Sequence, residues 1–140
     1  MVHQFELRRV WEDDHMLEVA LTLKGERCEA TVTDYITEKD IESLIPLIKA
    51  FNKQNGKLSK IWILDGSFAY VAMAFKLANK RGAIRVNVSM KQMEQMEDDF
   101  DEMQASFSFM TTMGQLDDLS DQVTSFLRNE TDLVESLRPE

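Results

Sequence analysis

Two histidines, one cysteine and a run of carboxylates are the candidate reactive side chains of this chain. Catalysis would need a nucleophile beside a base, a pair of carboxylates in a cleft, or a cluster of metal ligands. His3 and His15 fall near the starts of the first two strand-like segments. Neither has a cysteine or a second histidine at metal-ligand spacing, so both read as surface histidines. Cys28 is the single cysteine, which excludes an intramolecular disulfide. It falls at an inward strand position and reads as a buried structural thiol, protected from thiol reagents until the protein unfolds. Asp98-Asp99-Phe100-Asp101-Glu102 invites a calcium reading. It lacks the alternate-position acids, central glycine and closing glutamate of an EF-hand loop, and reads instead as a solvated acidic loop. The five glycines all sit at turn positions, so no glycine-rich loop is available to cradle a phosphate. Trp11 and Trp62 read as core or rim residues. Met90, Met93, Met96 and Met103 read as core filling and loop rather than an adaptable groove. The expectation is therefore no catalytic residue, no cofactor-binding residue and no metal ligand, in a chain that is not an enzyme.

Charge carries more information than any motif. The 140 residues have a formal net charge of −9. Residues 1–89 hold 13 basic and 12 acidic side chains, whereas residues 90–140 hold 3 basic and 13 acidic. Acidity is thus confined to the C-terminal third. That argues against nucleic acid or an anionic membrane as the partner of this surface and is compatible with a basic protein partner. The candidate partner-binding residues are Glu94, Glu97, Asp98, Asp99, Asp101 and Glu102 of the acidic loop. Asp117, Asp118 and Asp121 of a final helix come second. The plain alternative is a solubilising surface.

Hydrophobic periodicity outlines the strands and helices that carry these groups. The densest β-branched and aromatic stretch is Lys60 to Met90, divided by Asp65-Gly66 and by Asn79-Lys80-Arg81-Gly82 into a three-stranded antiparallel meander. In its last strand Ile84, Val86, Val88 and Met90 alternate with Arg85, Asn87 and Ser89. In its middle strand Ala69, Val71, Met73, Phe75 and Leu77 form one face, and Phe68, Tyr70, Ala72 and Ala74 make the other apolar as well. An apolar outer face of this kind marks an interface, which makes these four residues candidates for self-association in a homodimer. Residues 4–36 read as an earlier meander, with Phe5, Leu7 and Trp11, then Leu17, Val19, Leu21 and Leu23, then Cys28, Ala30 and Val32 inward. Arg9 breaks the inward pattern of the first strand.

Thr37, with Asp40 three residues on, starts a helix whose apolar face is Ile41, Leu44, Ile45, Ile48 and Phe51. Pro46 implies a short first turn and a kink, and Asn55-Gly56 ends the helix. Residues 103–111 alternate again, and Gly114 breaks that strand. A last helix follows with Leu116, Leu119, Val123, Phe126 and Leu127 on one face. Its three aspartates are expected in the early turns, where the helix dipole favours them. Residues 129–140 read as a helical extension or a frayed tail. The order βββα-ββββα in a single domain, residues 1–140, predicts an α+β fold. It would be a curved antiparallel sheet of about seven strands with two helices on one face.

The apolar fraction, 44%, is ordinary for a folded globular protein. Met1-Val2-His3-Gln4-Phe5-Glu6 lacks the basic start and apolar core of a signal peptide. No apolar run approaches the ~20 residues of a membrane span. A cytoplasmic protein without membrane contact is expected.

Several of these features together resemble a known family. The run Phe5-Glu6-Leu7-Arg8-Arg9-Val10-Trp11-Glu12-Asp13 is followed by a second strand. Ala30-Thr31-Val32 then leads through Tyr35-Ile36-Thr37 into a capped helix, and a late phenylalanine-containing helix closes the pattern. This resembles the small WapI-type immunity proteins of bacterial polymorphic-toxin systems, over most of residues 4–128. The resemblance implies a cytosolic binding protein that blocks a toxin domain by occlusion, without catalysis, and it assigns no binding residue. The rival expectation is a structural or adaptor protein that self-associates through the apolar sheet face.

Overall fold

A computed structural model describes residues 3–93 and 102–139. The first meander forms as β1 (Phe5–Glu12), β2 (Leu17–Lys24) and β3 (Glu29–Ile36), antiparallel throughout. Its inward residues Phe5, Leu7, Leu17, Val19, Leu21, Leu23, Ala30, Val32 and Ile36 are all buried. Trp11 does not join them. The register of β1 against β2 shifts between Arg9 and Trp11, leaving Val10 as an extra residue, so Trp11 pairs with Glu18 rather than Leu17. Side chains alternate with a period of two, so one inserted residue moves everything beyond it to the opposite face. Trp11 is therefore 49% exposed, and the expectation that it lies inward is overturned.

Thr37 begins α1 (Glu38–Glu42), its N–H donating to Asp40 Oδ2 at 2.9 Å. The helix restarts as α2 (Leu44–Lys53), which places Pro46 in the first turn of the second segment, where its missing N–H costs no helical bond. Asn55 and Gly56 both take positive φ, and the Gly56 N–H donates to the Phe51 carbonyl at 3.0 Å, which closes the helix.

The second meander is β4 (Lys60–Asp65), β5 (Ala69–Leu77) and β6 (Ala83–Gln92), turning at the two expected places, with β7 (Met103–Thr112) added beyond β6. Helix α3 (Met113–Leu127) follows without a loop, because the Thr112 hydroxyl accepts from the Gln115 N–H and caps it. Gly114 is inside the first turn. Asp117, Asp118 and Asp121 consequently stand beyond the first turn, outside the reach of the dipole stabilisation expected for them.

The fold is α+β and antiparallel, with two corrections of detail. Among the described residues there are eight strands in two four-stranded sheets, ordered β3-β2-β1-β8 and β4-β5-β6-β7, rather than one sheet of about seven. The eighth strand comes from the segment expected as a tail. Asn129, at φ 60°, turns the chain out of α3, and β8 (Leu133–Ser136) pairs antiparallel with β1. Val134, Ser136 and Leu137 are buried there.

The inward faces of both sheets and the buried residues Ile41, Leu44, Ile48, Phe51, Leu116, Leu119, Val123 and Phe126 of the helices form one continuous core. Three polar devices tie the halves together. Asp34, 3% exposed, accepts from the N–H groups of Phe68 and Ala69, each at 2.9 Å, and so holds the β4–β5 turn against β3. Gly66 belongs to that turn, where a Cβ would overlap the Asp34 carboxylate. The Gln92 amide accepts from Thr33 N–H at 2.8 Å and donates to the carbonyls of Thr33 and Phe68, standing in for a strand between the two sheets. Arg9 lies with its guanidinium carbon 4.2 Å from the Phe126 ring centroid, donates to the Phe126 carbonyl at 2.7 Å and to Asp132 at 3.0 Å, and so pins the α3 C-terminus to β1. Its place at the end of the helix dipole is the favourable one for a cation.

Candidate protein-binding surface

The acidic residues on which a docking surface would depend fall into two groups. Glu94, Glu97, Asp98, Asp99 and Asp101 lie outside the described residues. Glu102 is exposed immediately before β7, and Asp117, Asp118 and Asp121 are exposed on α3. Asp117 and Asp121 are one turn apart and share a helical stripe. Asp117 accepts from the Asn52 amide at 2.8 Å. Asp118 also has a structural duty, accepting from Ser136 Oγ and from the Gln122 amide, each at 2.8 Å. That same Gln122 amide donates to the Glu135 carbonyl and accepts its N–H, so a side chain occupies the free edge of β8.

Of the four residues assigned to self-association, Tyr70, Ala72 and Ala74 occupy the outer face of the second sheet, as the register requires, while Phe68 lies in the β4–β5 turn before β5; none of the four is among the most exposed residues there. Ala72 is buried at 8%, and Phe68, Tyr70 and Ala74 are half-buried. The large exposed side chains of this face are on the neighbouring edge strand. Ile61 pairs with Ala74 and Ile63 with Ala72, and the two isoleucines are 52% and 47% exposed. An alanine in mid-sheet lies below its bulkier neighbours, which is why the apolar patch is centred on β4 rather than β5.

His3 is half-buried, with Nδ1 3.6 Å from a Glu135 carboxylate oxygen, and His15 is exposed in the β1–β2 turn. Cys28 is not fully buried. It is half-buried and lines a cleft of about 570 Å³ with Arg27, Arg85 and Phe107, because it precedes β3 rather than lying within it. Among the described residues, no group of three or more His, Cys, Asp or Glu side chains converges as a metal site would.

Among the described residues, the most exposed aromatic surface escaped the sequence pattern altogether. Trp11 pairs with Glu18 and Glu18 pairs with Tyr35, so the three form one outward row across β1, β2 and β3. Trp11 and Tyr35 are 49% and 45% exposed and meet edge-to-face with ring centroids 6.5 Å apart. The signal available for it was Arg9, a charged residue at an inward position, which marks the bulge that turns Trp11 over. No helix among the described residues is long and apolar enough to cross a membrane. No protein-family model matches this chain, and no curated protein or solved structure matches it either.

Proposed function

We propose that this chain is a non-catalytic cytoplasmic binding protein of the immunity type, which neutralises a basic toxin domain by covering it. The observation that carries the reading is the concentration of negative charge in the last third of the chain, displayed in part by the exposed carboxylates Asp117 and Asp121 along α3. A field of one sign steers an oppositely charged partner and selects against wrong ones. The resemblance of most of residues 4–128 to WapI-type immunity proteins supports the same reading. It is tested by searching the genomic neighbourhood of the chain for a toxin domain and co-expressing the two. Restored growth is expected, and continued arrest in cells that accumulate the folded chain contradicts it.

A second reading, self-association, is favoured by the exposed Ile61 and Ile63 flanking Ala74 and Ala72. Tyr70, paired with Asp65 on the same face, is half-buried. Replacing Tyr70 with Lys should dissociate such a homodimer while leaving the thermal transition within a few degrees of wild type. Sedimentation of wild-type protein as a monomer at high concentration rules the dimer out.

A further inference from the structure

We propose that the outward row Trp11–Glu18–Tyr35 is the docking surface for an arginine-bearing segment of a basic protein partner. The inference rests on the reading of the chain as a binding protein, and it names the face that makes the short-range contacts. Trp11 and Tyr35 stand two strands apart, roughly 10 Å between backbones, yet their ring centroids are 6.5 Å apart. The rings therefore lean toward one another over β2, above Glu18, which is itself half-buried between them. The result is a rigid aromatic pair with a carboxylate at its base. A guanidinium is the group that fits it, because its planar face stacks on an aromatic ring while its N–H fork reaches a carboxylate.

The surroundings have the matching sign. Asp13 and Asp14 are exposed in the turn that follows β1, beyond Trp11, whereas Glu12 pairs with inward Leu17 and lies 3.8 Å from Arg9 Nε on the other face. Asp13 accepts from the N–H groups of His15 and Met16, each at 2.8 Å. These backbone hydrogen bonds hold its carboxyl below the usual aspartate value, so it keeps its charge as the pH falls. Arg8 stands on the next outward row, facing Ala20, and His15 in the turn. Val10, the extra residue of the bulge, and Met16 are 53% and 39% exposed and extend the apolar part of the patch. Tryptophan, tyrosine and a central desolvated ion pair are the composition of an energetic hot spot, flanked here at the turn by Asp13 and Asp14. The bulge itself is the kind of irregularity that re-aims a side chain at a functional edge.

The probe is a dye-labelled peptide of alternating arginine and glycine, with a lysine peptide of equal charge beside it. Binding is read by anisotropy at physiological ionic strength, where screening over ~8 Å suppresses the distant α3 charges. Trp11→Ala is expected to weaken the arginine peptide about tenfold, and Glu18→Gln about threefold. Asp117→Lys with Asp121→Lys should change it less than threefold, and the lysine peptide should bind more weakly than the arginine one. The exposed position of Trp11 lets the variants keep the wild-type circular dichroism. Should Trp11→Ala prove unfolded, Tyr35→Ala carries the same expectation. Arginine-peptide binding that survives Trp11→Ala or Tyr35→Ala but is lost on the α3 reversal overturns the inference and leaves the binding-protein reading standing. Failure of the arginine peptide to bind the wild-type protein even at low salt overturns the inference, while restored growth on toxin co-expression would leave the binding-protein reading standing.

Discussion

Replacing Asp34 with alanine is expected to cost about 3–5 kcal/mol of stability, the largest loss from a single side chain outside the apolar core. The carboxylate is 3% exposed and accepts three backbone N–H groups, from Tyr35 at 2.7 Å and from Phe68 and Ala69 at 2.9 Å. Hydrogen bonds to a charged acceptor are worth about 1.5–3 kcal/mol each, and removing the acceptor leaves buried donors with no partner and no water. The loss is amplified by position, because two of the bonds cross between the sheets. Against a total stability of ~5–15 kcal/mol this is a large fraction. Asparagine should recover about half of it. Its single carbonyl can serve either Tyr35 or the Phe68–Ala69 pair, and its NH₂ then faces the donors it cannot serve. Urea denaturation checks both variants. A shift of less than about 1 kcal/mol for Asp34→Ala would mean that the two sheets are held together by packing alone.

Asp34 also shows why part of this architecture was hidden. Its sequence position is inward, two residues from Val32 and from Ile36, and the alternation that places Val32 there places the carboxylate there too. What alternation does not carry is the partner, since Phe68 and Ala69 are more than thirty residues away. The same distinction separates the rest. The meanders, the Pro46 break and the buried face of α3 depend on neighbours within a few residues, and local periodicity registers them directly. The split into two sheets depends on where β3 meets the β4–β5 turn, and β8 is a four-residue strand whose pairing with β1 joins the ends of the chain. Neither leaves a local signature. At the candidate surface, charge was legible because it is a sum over sequence, while the aromatic row was not, because one bulged residue, Val10, reverses the facing of Trp11. The self-association patch lies between these cases. Its face was legible, but its exposure is set by the cross-strand neighbours Ile61 and Ile63.

The second large effect is expected in the rate of association. Asp117 and Asp121 are exposed on one stripe of α3, and reversing both to lysine changes the local charge by four units without disturbing the core residues Leu116, Leu119 and Val123. Asp117 gives up one exposed hydrogen bond, from the Asn52 amide, which still donates to the Met113 carbonyl, whereas Asp118 is better left in place, because it holds both Ser136 and Gln122. Each exposed charge contributes only ~0.2–1 kcal/mol as a pair, so the folded state should tolerate the change. The summed field acts on encounter instead, where steering is worth ten- to thousandfold in rate.

The central claim, that this chain works by electrostatically steered binding of a basic protein, is checked by the association rate constant with a toxin domain identified by pull-down or from the neighbourhood of its gene. It should be measured by stopped flow as ionic strength is raised from low salt to ~0.15 M. The rate for the wild-type chain should fall steeply with salt. Asp117→Lys with Asp121→Lys should slow association about tenfold or more at low salt, flatten the salt dependence, and leave the denaturation midpoint nearly unchanged. Equal rates for the two proteins, with the same shallow dependence on salt, would contradict the claim and reduce the acidic third of the chain to a solvated surface.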